Sequence, residues 1–448
     1  MKKFTAIVLM IALVFLFVAC DGSSDSYPVY GGVTGEDGGI RSYEKAYEGK
    51  LTGEYLDGAG KEEANGSQIR AGQLTAKAWN DNDNYDKWKE LFFAGTDNDP
   101  AGKFAEFTNN AWACDTSLRV KVTVKRGETP LSGVKVRYVD EAQKQWISRT
   151  DAQGVAYLFP NAKEGTVRVT DGESEQSLTF TQEHRDLVFD LESGKEKANL
   201  IKIMFVIDAT GSMGDEMEYI AAELTDVVHR VAEQANGVKI DLALLFYRDD
   251  GDREKFAYHD FVTVTEEEGL KQQVKVLNAQ RAEGGDDLPE AMDEALLMAA
   301  GKDWGEENST NLMFLVLDAP PHEEGIHHIN TMNALNAAAA KGIRLCPVLC
   351  SGADSFCEYV TRLGALLTGG TSVFVTDDSG IGGEHLDPDL PDATVEKLND
   401  LLVRLVVGYH TGEFPEPVAW IPPQTSEEQT QGGKIVEGSV TEREMFAD

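Results

Sequence analysis

From about residue 198 onward the chain alternates two apolar rhythms, and this alternation constrains its fold more than any other feature. Residues 200–207, 240–247, 260–264, 312–317, 343–349 and 372–376 are short runs dominated by apolar residues and read as strands. Between the first two, Met217, Ile220, Ala221, Leu224, Val227, Val228 and Val231 recur at helical spacing and share one face. A strand that is apolar on both faces has to be covered on both. The repeat therefore predicts an α/β fold over 198–410, a Rossmann-like doubly wound sheet closed by a last helix over 394–409.

Upstream the period falls to two. Residues 120–124, 134–138, 155–159 and 167–169 alternate apolar and polar side chains and are separated by turns, which predicts a small all-β sandwich over 115–195. Residues 66–114 carry enough aromatic side chains to form a small ordered segment that docks on a neighbour. Within it, Asp81-Asn82-Asp83-Asn84-Tyr85-Asp86 begins like a calcium loop, but Asp86 stands where an EF-hand needs glycine, so a polar turn is expected. Residues 21–65 are rich in Gly, Ser, Asp and Glu and read as a flexible spacer; residues 411–448 read as a disordered tail.

The formal net charge of -36 repels phosphate backbones and argues against nucleic acid as a ligand. Since 42% of the residues are apolar, the acidic excess belongs to the surface of folded domains. There is no P-loop, so no nucleotide is expected, and no G-x-S-x-G elbow.

Lys2-Lys3, an apolar run over 4–18 and Ala19-Cys20 before a polar stretch resemble a bacterial lipoprotein signal, with Phe17 where that family usually has leucine. The resemblance implies removal of the leader at 1–20, lipid on Cys20, and an exported, membrane-anchored protein of the cell envelope, periplasmic or surface-exposed. Cys114, Cys346, Cys350 and Cys357 remain. In an exported chain Cys350 and Cys357 are the candidates for a local disulfide, with simple buried thiols as the alternative. The turn Thr150-Asp151-Ala152-Gln153-Gly154 resembles the carboxypeptidase-regulatory-like and Ig-like sandwiches of secreted bacterial proteins. That likeness implies a stalk between the anchor and the α/β head.

Open α/β sheets bind ligands beyond the carboxyl ends of their strands, so the loop after the first strand of the head is the first candidate site. There Asp208, Thr210 and Ser212 alternate with small residues, which aims one carboxylate and two hydroxyls at one point. Oxygen donors of this kind suit a hard divalent cation, Mg2+ first, with Ca2+ or Mn2+ as alternatives. The run Ile207-Asp208-Ala209-Thr210-Gly211-Ser212-Met213 is similar to the metal-ion-dependent adhesion site (MIDAS) of von Willebrand factor A domains. Over about 198–410 the resemblance implies Asp208, Thr210, Ser212 and Asp318 as direct or water-mediated ligands. The family's intervening threonine falls in Glu283-Gly284-Gly285-Asp286-Asp287, where Asp287, or alternatively Asp286, takes its place. An extra carboxylate holds a cation more firmly and lowers the net charge it offers a partner.

His322, Glu323, His327 and His328 follow Asp318 without the H-E-x-x-H spacing of a zinc hydrolase and read as a polar loop beside the site. An Arg248–Asp249 ion pair supporting the rim is expected, and Glu290 is expected to favour a helix dipole. The expected function is therefore non-enzymatic: a lipid-anchored binding or adhesion protein that engages a protein ligand through a divalent cation. The alternatives are an envelope assembly scaffold, or a metal-dependent hydrolase with Asp208 as nucleophile.

Overall fold

The computed structural model describes residues 69–96, 99–141, 145–171, 174–234, 237–285, 288–305, 309–388, 390 and 392–422. The leader, Cys20, the spacer, Asp286, Asp287 and residues 423–448 of the tail lie outside the described residues.

The first elements are a strand, β1 (Thr75–Trp79), and a short helix, α1 (Tyr85–Glu90). Eight strands follow: β2 (Val120–Arg126), β3 (Thr129–Pro130), β4 (Lys135–Val139), β5 (Gln145–Arg149), β6 (Val155–Leu158), β7 (Gly165–Asp171), β8 (Ser174–Phe180) and β9 (Asp186–Asp190). They make two four-stranded sheets, β3-β2-β6 with β9 beside β2, and β5-β4-β7-β8. Val120, Val122 and Val124 point inward from β2 and meet Val136, Val167, Val169 and Phe180 of the other sheet in one core. Period-two burial is thus what holds this unit together.

The remainder alternates strand and helix. It runs β10 (Leu200–Asp208), α2 (Met217–Gln234), β11 (Lys239–Tyr247), β12 (Phe256–Thr263), α3 (Glu267–Ala279) and α4 (Met292–Gly301). Next come β13 (Ser309–Leu317), α5 (His327–Ala340), β14 (Ile343–Leu349), α6 (Ser355–Thr368), β15 (Ser372–Val375), β16 (Glu396–Lys397) and α7 (Leu398–Thr411). One eight-stranded sheet has the order β12-β11-β10-β13-β14-β15-β1-β16, in which β11, β10, β13, β14 and β15 are parallel and β12 is antiparallel to β11. Along β10, Ile201, Ile203, Phe205 and Ile207 pack with α2 and α7, whereas Met204 and Val206 pack with α4, α5 and α6. The expected doubly wound α/β sheet is present, and helices cover both of its faces.

The path of the chain differs from a linear anchor–sandwich–head order. β1 is antiparallel to both β15 and β16, with Ala76 opposite Val375 and Trp79 opposite Ser372, so the 66–114 segment contributes a strand to the head's own sheet. The backbone N–H groups of Gly72, Gln73 and Leu74 donate to the buried Glu223 carboxylate on α2 at 2.7, 2.8 and 2.9 Å, fixing where this strand enters. The sandwich is therefore inserted between two strands of one sheet. It docks through Arg149, which donates to Ala340 O, through Arg344, which donates to Arg149 O, and through Gln153, which donates to Gly412 O. Ala340 ends α5, Arg344 begins β14 and Gly412 follows α7, so the docking edge is the one opposite the carboxyl ends of the parallel strands.

Between β1 and the sandwich, Trp88, Phe92, Phe104, Phe107 and Trp112 pack on Phe356 and Tyr359 of α6, with Phe107 stacked on Tyr359 at 4.8 Å. Asp81 belongs to this contact and not to a calcium loop. Its carboxylate accepts from Arg362 Nε at 3.0 Å and from Trp79 Nε1 at 3.1 Å, while Arg362 also donates to Glu358 at 2.8 Å. All three charged side chains are buried. Removing one partner of a buried ion pair leaves the other charge stranded, which costs about 3–5 kcal/mol. Arg362→Ala, which leaves the buried Asp81 without a cation, should therefore lower the unfolding free energy in urea by about that amount, and a loss under about 1 kcal/mol would contradict the role assigned to this contact.

Candidate metal site

β10 is flanked by β11 on one side and β13 on the other, so the strand order reverses at β10 and a crevice opens beyond its carboxyl end. Asp208 is the last residue of β10 and Asp318 directly follows β13. Backbone bonds hold the intervening loop: Ala209 N donates to Tyr247 O, Glu283 N to Ala209 O, and Gly211 N to Gly284 O, at 2.9, 3.0 and 2.9 Å. Gly211 has to be small, since a Cβ there would stand 2.9 Å from Gly284 O.

The four oxygen-bearing residues of the two strand ends converge. Asp208 Oδ1 accepts from Thr210 N at 2.9 Å and from Thr210 Oγ1 at 2.6 Å. Thr210 Oγ1 lies 3.2 Å from Ser212 Oγ, which donates to Asp318 Oδ1 at 3.0 Å. Asp208 Oδ2 is buried and accepts no hydrogen bond of good geometry, although the Tyr247 hydroxyl, itself buried without a well-aligned partner, acts on the carboxyl and favours its charged form. Burial pushes the Asp208 carboxyl up to about 6, against the lowering effect of the Thr210 hydrogen bonds. Burial and then the Asp208 charge push Asp318 up to about 7.

Two buried carboxylates, both raised by burial and one raised further by the charge of the other, with an unpaired oxygen between them, fit a cation. The nearby donors are carboxylates and hydroxyls, the chemistry of Mg2+, Mn2+ or Ca2+. Among the described residues no group of three His, Cys, Asp or Glu side chains is placed to hold a metal, so this set relies on its hydroxyls. Asp286 and Asp287 lie outside the described residues, but Glu283 and Gly284, which lead into them, are bonded to the Asp208 loop.

Glu290 does more than favour a helix dipole. It stands two residues before α4, its N–H donates to Pro320 O at 2.9 Å, and its Oε2 is buried without a partner. Burial, then the charges of Asp208 and Asp249, push it up to about 9. Gly285, at φ +68°, makes room for it: a Cβ there would come within 2.6 Å of Glu290 Oε1 and 2.9 Å of Thr210 Cβ. Only an oxygen-bearing residue close to the Asp287 loop hinted at this role.

Other expectations are corrected. Cys350 and Cys357 are free thiols, because Cys350 packs into the core on the α2–α7 face of the sheet and Cys357 into the core on the α4–α6 face. Arg248 does not pair with Asp249; it fastens the carbonyls of Glu283, Glu254 and Arg281. Asp249 instead faces His322 Nε2 at 2.8 Å, and His327 faces Asp293 at 3.1 Å, so these histidines engage separate carboxylates.

The raised carboxyls set a pH dependence. A group whose folded pKa lies above its ordinary value contributes stability below that ordinary value, here 3.8, and loses it as pH rises through about 6 to 7. Without a divalent cation the full chain should melt higher at about pH 5 than at about pH 8. Mg2+ at about a hundred times its Kd should add about 2.7 kcal/mol, or roughly 5–10 °C, at the higher pH and much less at the lower. The gain should vanish in Asp208→Ala; an equal gain at both pH values, or one retained by that variant, would contradict the site.

The profile of the von Willebrand factor A domain family matches residues 202–354. No curated protein sequence matches the chain. Among solved structures, the chain is similar to the pilus adhesin SpaC of Lactobacillus rhamnosus GG in its open conformation, at 10% identity and a TM-score of 0.30, covering 54% of this chain and 31% of that one. A second crystal structure of SpaC gives 10% identity, a TM-score of 0.29, and coverage of 54% and 32%. The chain thus spans about a third of the length of these structures. With its parallel sheet, its crevice and its Asp-x-Thr-x-Ser loop in place, residues 202–354 are a von Willebrand factor A domain.

Proposed function

We propose that the protein is a cell-envelope binding or adhesion protein that engages a protein partner through a divalent cation held in its von Willebrand factor A domain. The observation that carries this reading is the buried Oδ2 of Asp208, without a well-aligned hydrogen-bond partner, beside Thr210, Ser212 and Asp318. Asp208, Thr210, Ser212 and Asp318 would hold the ion, with Asp287, or alternatively Asp286, completing the set. When bound, the ion supplies a positive centre on which a partner oxygen can settle. The chain's own residues shape its surroundings. Thr210 and Ser212 orient the two carboxylates, Glu290 adds a further acidic group, and Leu288 and Ile326, exposed in the stretches ahead of α4 and α5, offer apolar surface suited to a protein face.

Lipid on Cys20 would tether the chain to a membrane, and export would place the head in the periplasm or outside the cell. A binding role needs no general base or nucleophile at the carboxylates. The full chain, immobilised in Mg2+, should retain an envelope protein that is released by a chelator and is not retained by Ser212→Ala. Retention of the same protein with equal strength in chelator, or by that variant, would contradict a cation-dependent interface.

A further inference from the structure

His385 belongs to the segment between β15 and β16, is buried, and lies between two carboxylates. Its Nε2 is 2.6 Å from Glu216 Oε1, just ahead of α2, and its Nδ1 is 2.7 Å from Asp377 Oδ1, just after β15. Glu216 is itself fully buried and accepts from Ser351 N at 3.1 Å through its other oxygen. An ionised carboxylate only accepts hydrogen bonds, so an imidazole facing one at each nitrogen has to donate from both, which only the protonated ring can do. The ring thus joins three stretches of chain: the start of α2, the turn after β15 and, through Glu216, the loop after β14. That last loop is bound again by Gly352 N donating to Glu384 O at 3.1 Å, and Ser351 Oγ donates to Asp215 at 3.3 Å.

We propose that His385 is a protonation-gated latch: as imidazolium it clamps residues 376–388 onto the start of α2 and the β14–α6 loop, and loss of its proton releases that segment. The groups facing the ring are acidic or neutral. They are Glu216 from the start of α2 and Asp377 from the turn after β15, with Asp215 next to Glu216, the Cys350 thiol beside Glu216, and Asp318 beyond it. A neutral imidazole would turn a lone pair toward one of the two carboxylates, replacing a charge-assisted bond by repulsion. Burial lowers the proton affinity of the ring, but the bonds to Glu216 and Asp377 outweigh it and raise the pKa above the ordinary 6.5. A raised histidine contributes stability below its ordinary pKa and loses it as pH rises through the folded value, so the latch is closed in mild acid and opens toward alkaline pH. The segment it frees is bonded to Gly352 through Glu384 O, and it is Gly352 that borders the site: a Cβ there would lie 3.9 Å from Asp318 Oδ2.

The test is hydrogen–deuterium exchange of the full chain without added metal, read over 376–388 and corrected for the intrinsic effect of pH. Protection of these amides should fall about tenfold or more from about pH 6 to about pH 9, and by more than that of the strands of the sheet, which follow global stability. His385→Gln, which has no proton to lose, should show low protection at both. Protection that does not change with pH, or a change that survives in His385→Gln, would overturn the latch. Ring-nitrogen NMR of the unmutated chain gives a second reading that needs no variant to fold: both nitrogens of His385 should be protonated at about pH 6, and a neutral ring there would overturn it as well.

Discussion

The burial of two carboxylates at the ends of neighbouring parallel strands is the constraint around which the head is organised. Asp208 and Asp318 are brought together because β10 and β13 pair in parallel, with Ile207 beside Val316, and because the strand order reverses at β10. Bringing such groups out of water is costly unless they are protonated, hydrogen-bonded or neutralised by a cation. Thr210 and Ser212 satisfy one oxygen of each. The surrounding loops serve the same end: Arg248 ties down the carbonyls of the Glu283 loop, and glycines at 211 and 285 let backbone and carboxylate approach where a side chain would collide.

The placement of the remaining parts follows from that sheet. The N-terminal strand joins its far side in antiparallel sense, so residues 72–74 enter at the same edge as the metal site. The sandwich, inserted after β1, docks at the opposite edge through Arg149, Arg344 and Gln153. It is an appendage of the head and does not separate it from the N-terminal segment. A buried Asp81–Arg362–Glu358 network and an aromatic cluster on α6 join the connecting segment to the same core.

What the sequence made legible was whatever depends on local periodicity. The strands at 200–207 and 343–349 are apolar on both faces because both are covered, and the Asp208 loop reads directly from the order of its oxygen-bearing residues. What it hid depends on partners far along the chain. Thr75–Trp79 is a five-residue strand whose register is set by Val375 and Glu396, some three hundred residues later. Glu290 and Glu216 look like ordinary acids beside helices, and only the fold reveals that both are buried near the site. Cys350 and Cys357 are close in sequence, yet the sheet sets them in different cores. Arg248 and Asp249 are adjacent, yet one fastens carbonyls and the other turns to a histidine.

The most direct test of the account is to locate the ion. Crystals of the full chain grown with Mn2+ should give an anomalous scattering peak within bonding distance of Asp208, Ser212 and Asp318, or of waters they hold, and that peak should be lost in Asp208→Ala. Crystals with no peak in this crevice, and with Asp208 and Asp318 sharing a proton or a bridging water instead, would contradict the claim that these buried carboxylates exist to hold a cation.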